Sequence, residues 1–156
     1  METSSVSDLE KFLKSAGVWY QFIRKPVTIH TRDAARVSDV DLHRVTKNLV
    51  AVTDNGENVL LIVPGDRRVD LKRAGALLGV KNVRLVPFEE AEKISGYPPG
   101  ATPSIGHKER LRTVLDQELL QFETFFCGGG TREQLVELRV DEVLRISQAI
   151  IGEISK

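Results

Sequence analysis

A lysine in an apolar strand and two glycine-bearing loops are the residues of this 156-residue chain that could do chemistry. Lys47 sits within Val45–Val52 (VTKNLVAV), and far downstream come Gly96–Leu111 (GYPPGATPSIGHKERL) and Phe125–Thr131 (FFCGGGT). An ammonium on a half-buried strand, set against backbone amides from two loops, suits an electrophile that develops negative charge. In an extended segment Val45, Lys47, Leu49 and Ala51 share one face. An ammonium among such neighbours is costly unless it is paired or reaches solvent. The same lysine could simply snorkel at a sheet edge.

The segment Gly96–Gly106 holds three glycines and three prolines. Prolines fix the path of a loop, and glycines let backbone N–H groups approach a ligand closely. The loop reads either as an anion or oxyanion nest or as a stiff connector. It is no P-loop: five residues separate Gly100 from Gly106 where four are needed, and His107 stands where lysine should. Gly128-Gly129-Gly130 would let a substrate lie against the chain, although a plain hairpin turn fits too. Neither loop has the G-x-G-x-x-G spacing of a dinucleotide fold.

Obvious nucleophiles and metal ligands are lacking. Cys127 ends an apolar strand, where a lone cysteine serves packing; a pairing with His30, His43 or His107 has no motif behind it. Those three histidines lack ligand spacing, so no metal and no cofactor are expected. Asp116 reads as a turn residue. The basic runs at His107–Arg112, Arg67-Arg68 and Lys72-Arg73 are either solvated faces or phosphate contacts.

Composition sets the frame. Lys plus Arg equals Asp plus Glu, 22 each, so no global field draws the chain to nucleic acid or membrane. Hydrophobic content of 41% in 156 residues is enough for one domain, expected over 1–156, with a real core. One cysteine precludes an internal disulfide and points to a reducing cytoplasm. The polar, acidic METSSVSDLE is unlike a secretory signal, and no apolar run could span a bilayer.

The elements that must position the lysine and the loops follow from periodicity. Ser7 and Glu10 have capping-box spacing before Leu9, Phe12, Leu13 and Ala16, a helix stopped by Gly17. Val18–Val27 reads as a strand, and Thr31 as the cap of a short helix. Val45–Thr53 and Asn58–Val63 flank Asp54-Asn55-Gly56-Glu57, a strong hairpin signal. Val59–Val63 lacks polar alternation and should be buried on both faces. Asp70 caps a helix through Leu71, Ala74, Leu77 and Leu78 to Gly79. Val83–Val86 is a strand, and Phe88–Ile94 a short helix ending at Gly96. Strands are expected at Leu111–Leu115, Glu123–Cys127 and Gln134–Val140. Asp141 then caps a last helix carrying Val143, Leu144, Ile146, Ile150, Ile151 and Ile154. The sum is an α+β fold: one mixed, largely antiparallel central sheet with surrounding helices.

Taken together, these segments resemble the YbaK/prolyl-tRNA synthetase-associated editing-domain family of aminoacyl-tRNA deacylases. The resemblance runs in order from about Leu9 to Ile150. It is carried by Thr46-Lys47-Asn48-Leu49-Val50, by Val63-Pro64-Gly65-Asp66 to Val69-Asp70-Leu71-Lys72, and by Gly96-Tyr97, Gly100 and Gly106. Lys108, Arg110-Leu111, Thr113, Asp116 and Gly129-Gly130 complete it. It implies hydrolysis of the ester joining a wrong, small amino acid (cysteine, alanine or similar) to a tRNA 3′ end. The tRNA would be tRNA(Pro), and the domain would act in trans, with prolyl-tRNA synthetase as a candidate partner.

By the same resemblance, Lys47 would hold the 3′-terminal phosphate or ribose. Amides at Gly100-Ala101, and at Gly129-Gly130, would bind the carbonyl as charge develops, while Asn48, Ser104 and Gly128 contact the substrate. Two positions depart from cysteine-specific relatives. Ala101 follows Gly100 where they have a second glycine, and Ser104 stands at their proline position, with Pro103 one earlier. Gly128 also replaces a serine common in relatives. Other readings are a non-catalytic tRNA- or synthetase-binding module of the same fold, and a hydrolase using Cys127.

Overall fold

The computed structural model describes the backbone of residues 2–156 and the side chains from residue 8 onward. The hairpin at Asp54–Glu57 organises the larger of two sheets. Gly56 has φ 82°, the Thr53 N–H donates to the Glu57 carbonyl at 2.9 Å, and β2 (Thr46–Thr53) pairs antiparallel with β3 (Asn58–Pro64). Every residue from Val59 to Val63 is fully buried, as unbroken apolar patterning requires of a central strand. On the far side of β3, β5 (Arg112–Asp116) runs parallel to it. β4 (Val83–Leu85) pairs with the other edge of β2, but only along Ala51–Thr53.

That short pairing matters. Even-numbered residues of β2 point their backbone groups toward β4, since the Val50 carbonyl accepts from Val86 at 3.0 Å while Thr53 bonds within the hairpin. The edge of β2 at Lys47–Leu49 is therefore beyond the reach of β4, and a cleft opens there.

The smaller sheet is a separate antiparallel set, β1 (Tyr20–Arg24), β7 (Gln134–Arg139) and β6 (Thr124–Gly128), with β7 central. One central sheet was expected; there are two, joined where Val45 bridges Phe126 in parallel. Four of the six pairings are antiparallel, so the largely antiparallel character holds.

Between the sheets lies the main core: Val50, Leu60, Ile62 and Leu115 from one side, Phe125, Cys127, Val136 and Leu138 from the other. α1 (Glu2–Ala16) closes it with Leu9 and Leu13, both fully buried. Each such side chain stabilises the fold by roughly 1.5–3 kcal/mol. The outer face of the larger sheet, through Ala51, Leu61, Val63 and Val114, is covered by α3 (Leu71–Leu78). Asp70 caps α3 as expected, accepting from the Arg73 N–H at 3.2 Å. α2 (Thr31–Ser38) packs Ala34 and Ala35 on Val45, Phe126 and Leu135. α4 (Phe88–Ser95) follows β4.

Other expectations need correction. α1 begins at Glu2, so Ser7 lies inside it; the expected Ser7 side-chain cap falls outside the described residues. Thr31 is the first residue of α2, and His30 occupies the cap without a side-chain bond. The first strand is shorter than Val18–Val27, because Lys25 turns its ammonium inward onto Thr28 and the Arg132 carbonyl. The last helix, α5 (Val140–Ser147), stops where Gln148 enters the left-handed region at φ 53°. Ile150 and Ile151 belong to β8 (Ile150–Gly152), which runs parallel to β5, and Ile154 follows it into the outer core. Branched side chains prefer the pleated edge to another helical turn. Asp116, buried, caps the turn at Glu118 and accepts from the Ile154 N–H at 3.0 Å, which ties this C-terminal stretch to β5.

Candidate active site

The open edge of β2, α2, the start of α4 and both glycine loops enclose a cleft of about 790 Å³. Lys47, Asn48, Gly100 and Gly128 all line it. The Lys47 ammonium is half-buried and donates to the Arg67 carbonyl at 2.8 Å. Burial, then the Arg32 and Arg68 guanidinium groups, push its pKa below the usual lysine range, with Asp66 opposing. An ammonium crowded by two guanidiniums favours an arriving anion. Arg32, at the start of α2, also lines the cleft.

The two loops are bolted together. Gly128 donates to the Thr102 carbonyl at 3.2 Å, and Gly130 to the Ala101 carbonyl at 3.0 Å. A Cβ on Gly128 would lie 2.2 Å from the Ala101 carbonyl carbon, so no larger residue fits that approach. Gly129 turns the other way, donating to the Gln134 carbonyl at 3.2 Å and accepting from the Gln134 side chain at 2.9 Å.

Those bonds change which amides a substrate could meet. The Ala101 N–H donates to the Pro98 carbonyl at 2.9 Å, and Ala101 is fully buried. It is not an available oxyanion donor, and neither Gly129 nor Gly130 is. The reason lies in Pro98-Pro99-Gly100-Ala101. With proline second and glycine third at φ 86°, it forms a turn of type II, whose fourth N–H closes the ring. The same turn leaves the Gly100 N–H out of its ring-closing hydrogen bond. Gly100 and Thr102, both at the cleft, have backbone N–H groups without a partner among the described residues. The dipeptide Pro-Gly was the signal that could have removed Ala101 from the expected Gly100-Ala101 pair and pointed to Thr102.

A hydrogen-bond chain fixes the cleft floor. The Thr46 hydroxyl donates to the Phe126 carbonyl at 3.1 Å, which can only accept. Thr46 Oγ1 must therefore accept from Asn48 Nδ2 at 2.8 Å, which turns Asn48 Oδ1 to the buried Ser104 hydroxyl, 2.6 Å away. Ser104 thus donates, and its oxygen is held off any substrate. Its own N–H donates to Cys127 Sγ at 3.4 Å.

Complete burial pushes the Cys127 thiol up to about 11, so no thiolate is available as a nucleophile. His107 does not face the cleft. Burial pushes it down to about 4, and its neutral Nε2–H donates to the Pro103 carbonyl at 2.7 Å. With Tyr97, whose hydroxyl donates to the Gly106 carbonyl at 2.7 Å, it braces the first loop from within. His30 does line the cleft. Sequence reasoning missed Arg32, Thr102 and the exposed Phe88 on the rim, none of which sits in a spaced motif.

A family model of the aminoacyl-tRNA editing domain matches residues 26–146, a span that contains Lys47 and both loops. The chain belongs to this family. This editing domain is 26% identical over 136 residues to "Putative Cys-tRNA(Pro)/Cys-tRNA(Cys) deacylase EbsC" of Enterococcus faecalis, covering 87% of this chain and 83% of the relative. Among solved structures, the "putative trans-editing enzyme for prolyl tRNA synthetase" matches with a TM-score of 0.87 at 27% identity, over 97% of each chain. A 97-residue stretch is 28% identical to the proline–tRNA ligase of Cupriavidus necator, covering 60% of this chain and 17% of the ligase. The editing domain thus corresponds there to a small part of a much longer protein. No helix among the described residues is long and apolar enough to cross a membrane.

Proposed function

We propose that residues 1–156 form one deacylase domain that hydrolyses the ester of a small, mischarged amino acid on tRNA, with tRNA(Pro) the first candidate. One observation carries the proposal: in a member of the editing family, the Lys47 ammonium and the uncommitted amides of Gly100 and Thr102 border one cleft. Relatives of similar length, named for deacylation and for editing in trans, favour action in trans.

In this reading Lys47 and Arg32 bind the phosphate or ribose of the terminal nucleotide. The Gly100 and Thr102 N–H groups receive the carbonyl oxygen as it becomes an oxyanion. Water adds to the carbonyl carbon, the ester C–O bond breaks, and the ribose oxygen leaves as a hydroxyl while the amino acid is released. The acyl ester is already activated, so neither Cys127 nor a serine need attack it. Oxyanion donors of this kind are each worth about 10²–10³ in rate. Asn48 and Gly128, with Ser104 holding the Asn48 carboxamide from behind, shape the end that takes the amino-acid side chain. A separate small site is the physical answer to a synthetase's difficulty, since one methylene is worth only about 1–3 kcal/mol in a pocket.

The test is a deacylation panel of Ala-, Cys-, Ser- and Pro-tRNA(Pro), each with and without prolyl-tRNA synthetase. Release of a small amino acid with Pro-tRNA(Pro) spared supports the proposal. Binding without turnover on every substrate would replace it with a non-catalytic tRNA-binding role.

A further inference from the structure

The rim of the cleft at the start of α4 is apolar and open. Phe88, the first residue of α4, is 63% exposed, and Leu85 of β4 beside the same cleft is 43% exposed. A ring left in water at the mouth of a site has no packing role of its own; the other five phenylalanines are not among the exposed apolar side chains. We infer that Phe88, with Leu85 of the adjoining β4, is a stacking platform for the nucleobase of the terminal nucleotide. The inference rests on the deacylase reading for its substrate.

Charge sets the orientation. Glu89 and Glu90, exposed in the first turn of α4, disfavour a phosphate at that rim. Lys47, three residues along β2 from the Val50 carbonyl that holds Val86, attracts one together with Arg32. A nucleotide lying across the cleft therefore places its phosphate on the cations and its base on Phe88. The ribose ester then falls between, near the Gly100 and Thr102 amides. A base presents a flat π-face that an aromatic ring can take without reading its sequence, and losing such a contact weakens binding by roughly 5- to 150-fold.

Binding can be tested without turnover. Trp19, the sole tryptophan, lines a different surface depression, so Trp19→Phe with Phe88→Trp leaves one reporter at the rim. Titration with an RNA minihelix ending in CCA should quench its fluorescence, and the same RNA with an abasic terminal ribose should not. Equal quenching by both, or none by either, overturns the stacking platform. In deacylation, Phe88→Ala should raise KM roughly 5- to 150-fold with kcat little changed, and Phe88→Tyr should restore it. An unchanged KM in an active enzyme overturns the platform alone. Failure of the unsubstituted protein to deacylate overturns the function, while base-dependent quenching would still establish the stacking.

Discussion

Gly128→Ala tests the apposition of the two loops with the smallest available perturbation. A Cβ at position 128 would sit 2.2 Å from the Ala101 carbonyl carbon and 2.4 Å from the Thr102 nitrogen. Real contacts begin at 3.0 Å and become ordinary at 3.4 Å, so the gap must widen by 0.8 to 1.2 Å. Both opposing atoms are backbone, and no rotamer change can relieve the clash. The loops must part, and Gly128→Thr102 and Gly130→Ala101 are the bonds that would stretch. Overpacking of this kind costs about 1–3 kcal/mol. Moving the Thr102 amide by about 1 Å from its working position should lower the deacylation rate by on the order of 10²-fold.

Gly56→Ala supplies the control. It meets nothing within 4 Å but has φ 82°, so it is strained by about 1–2 kcal/mol far from the chemistry. Urea unfolding should show comparable destabilisation in both variants, and deacylation time courses should show a rate loss only in Gly128→Ala. A Gly128→Ala rate within twofold of the unsubstituted protein would refute the placement of the reacting carbonyl at this junction.

Lys47→Ala should lower kcat/KM by roughly 10- to 150-fold, the worth of a charge-assisted bond to phosphate, with a weaker salt dependence than the unsubstituted domain; equal activity removes Lys47 from the mechanism. Ser104→Ala leaves Asn48 Oδ1 without its donor, and should cost about 1–3 kcal/mol in urea unfolding and change the ratio of Ala- to Cys-tRNA(Pro) hydrolysis; an unaltered ratio would show that the Asn48 carboxamide does not shape the amino-acid pocket. His107 is held at about 4 against an ordinary 6.5, so its proton binds the unfolded chain first as pH falls. Its contribution is fully present above pH 6.5 and lost between there and pH 4, about 3 kcal/mol in all, and His107→Gln should flatten that part of the stability profile. Cys127 should resist alkylation in the native domain, and Cys127→Ala should retain deacylation; rapid inactivation by a thiol reagent without unfolding would contradict its burial.

What was legible in the sequence is what local chemistry decides. Asp54-Asn55-Gly56-Glu57 can do little but turn, Val59–Val63 can only be buried on both faces, and Asp70 caps its helix because a carboxylate there meets orphan amides. The candidate lysine and loops were visible for the same reason: a charge or a glycine run inside an apolar pattern is a local anomaly. Partition of the strands between two sheets was not visible, because pairing partners such as Val45 and Phe126 are distant in sequence and their bridge leaves no periodic trace. Ile150, Ile151 and Ile154 fitted a helical stripe as well as a strand, and the pairing with β5 decided between them.

Of the expected Gly100-Ala101 pair, only the Ala101 amide is committed elsewhere by the fold. Glycine content identified a loop able to present N–H groups, but which amide faces outward depends on the turn type, and Pro-Pro-Gly-Ala spends the Ala101 N–H on the Pro98 carbonyl. A binding loop is therefore read from the hydrogen bonds its own turn consumes. What remains after that subtraction, the Gly100 and Thr102 N–H groups at the same cleft as Lys47, is what the deacylase proposal assigns to the substrate carbonyl.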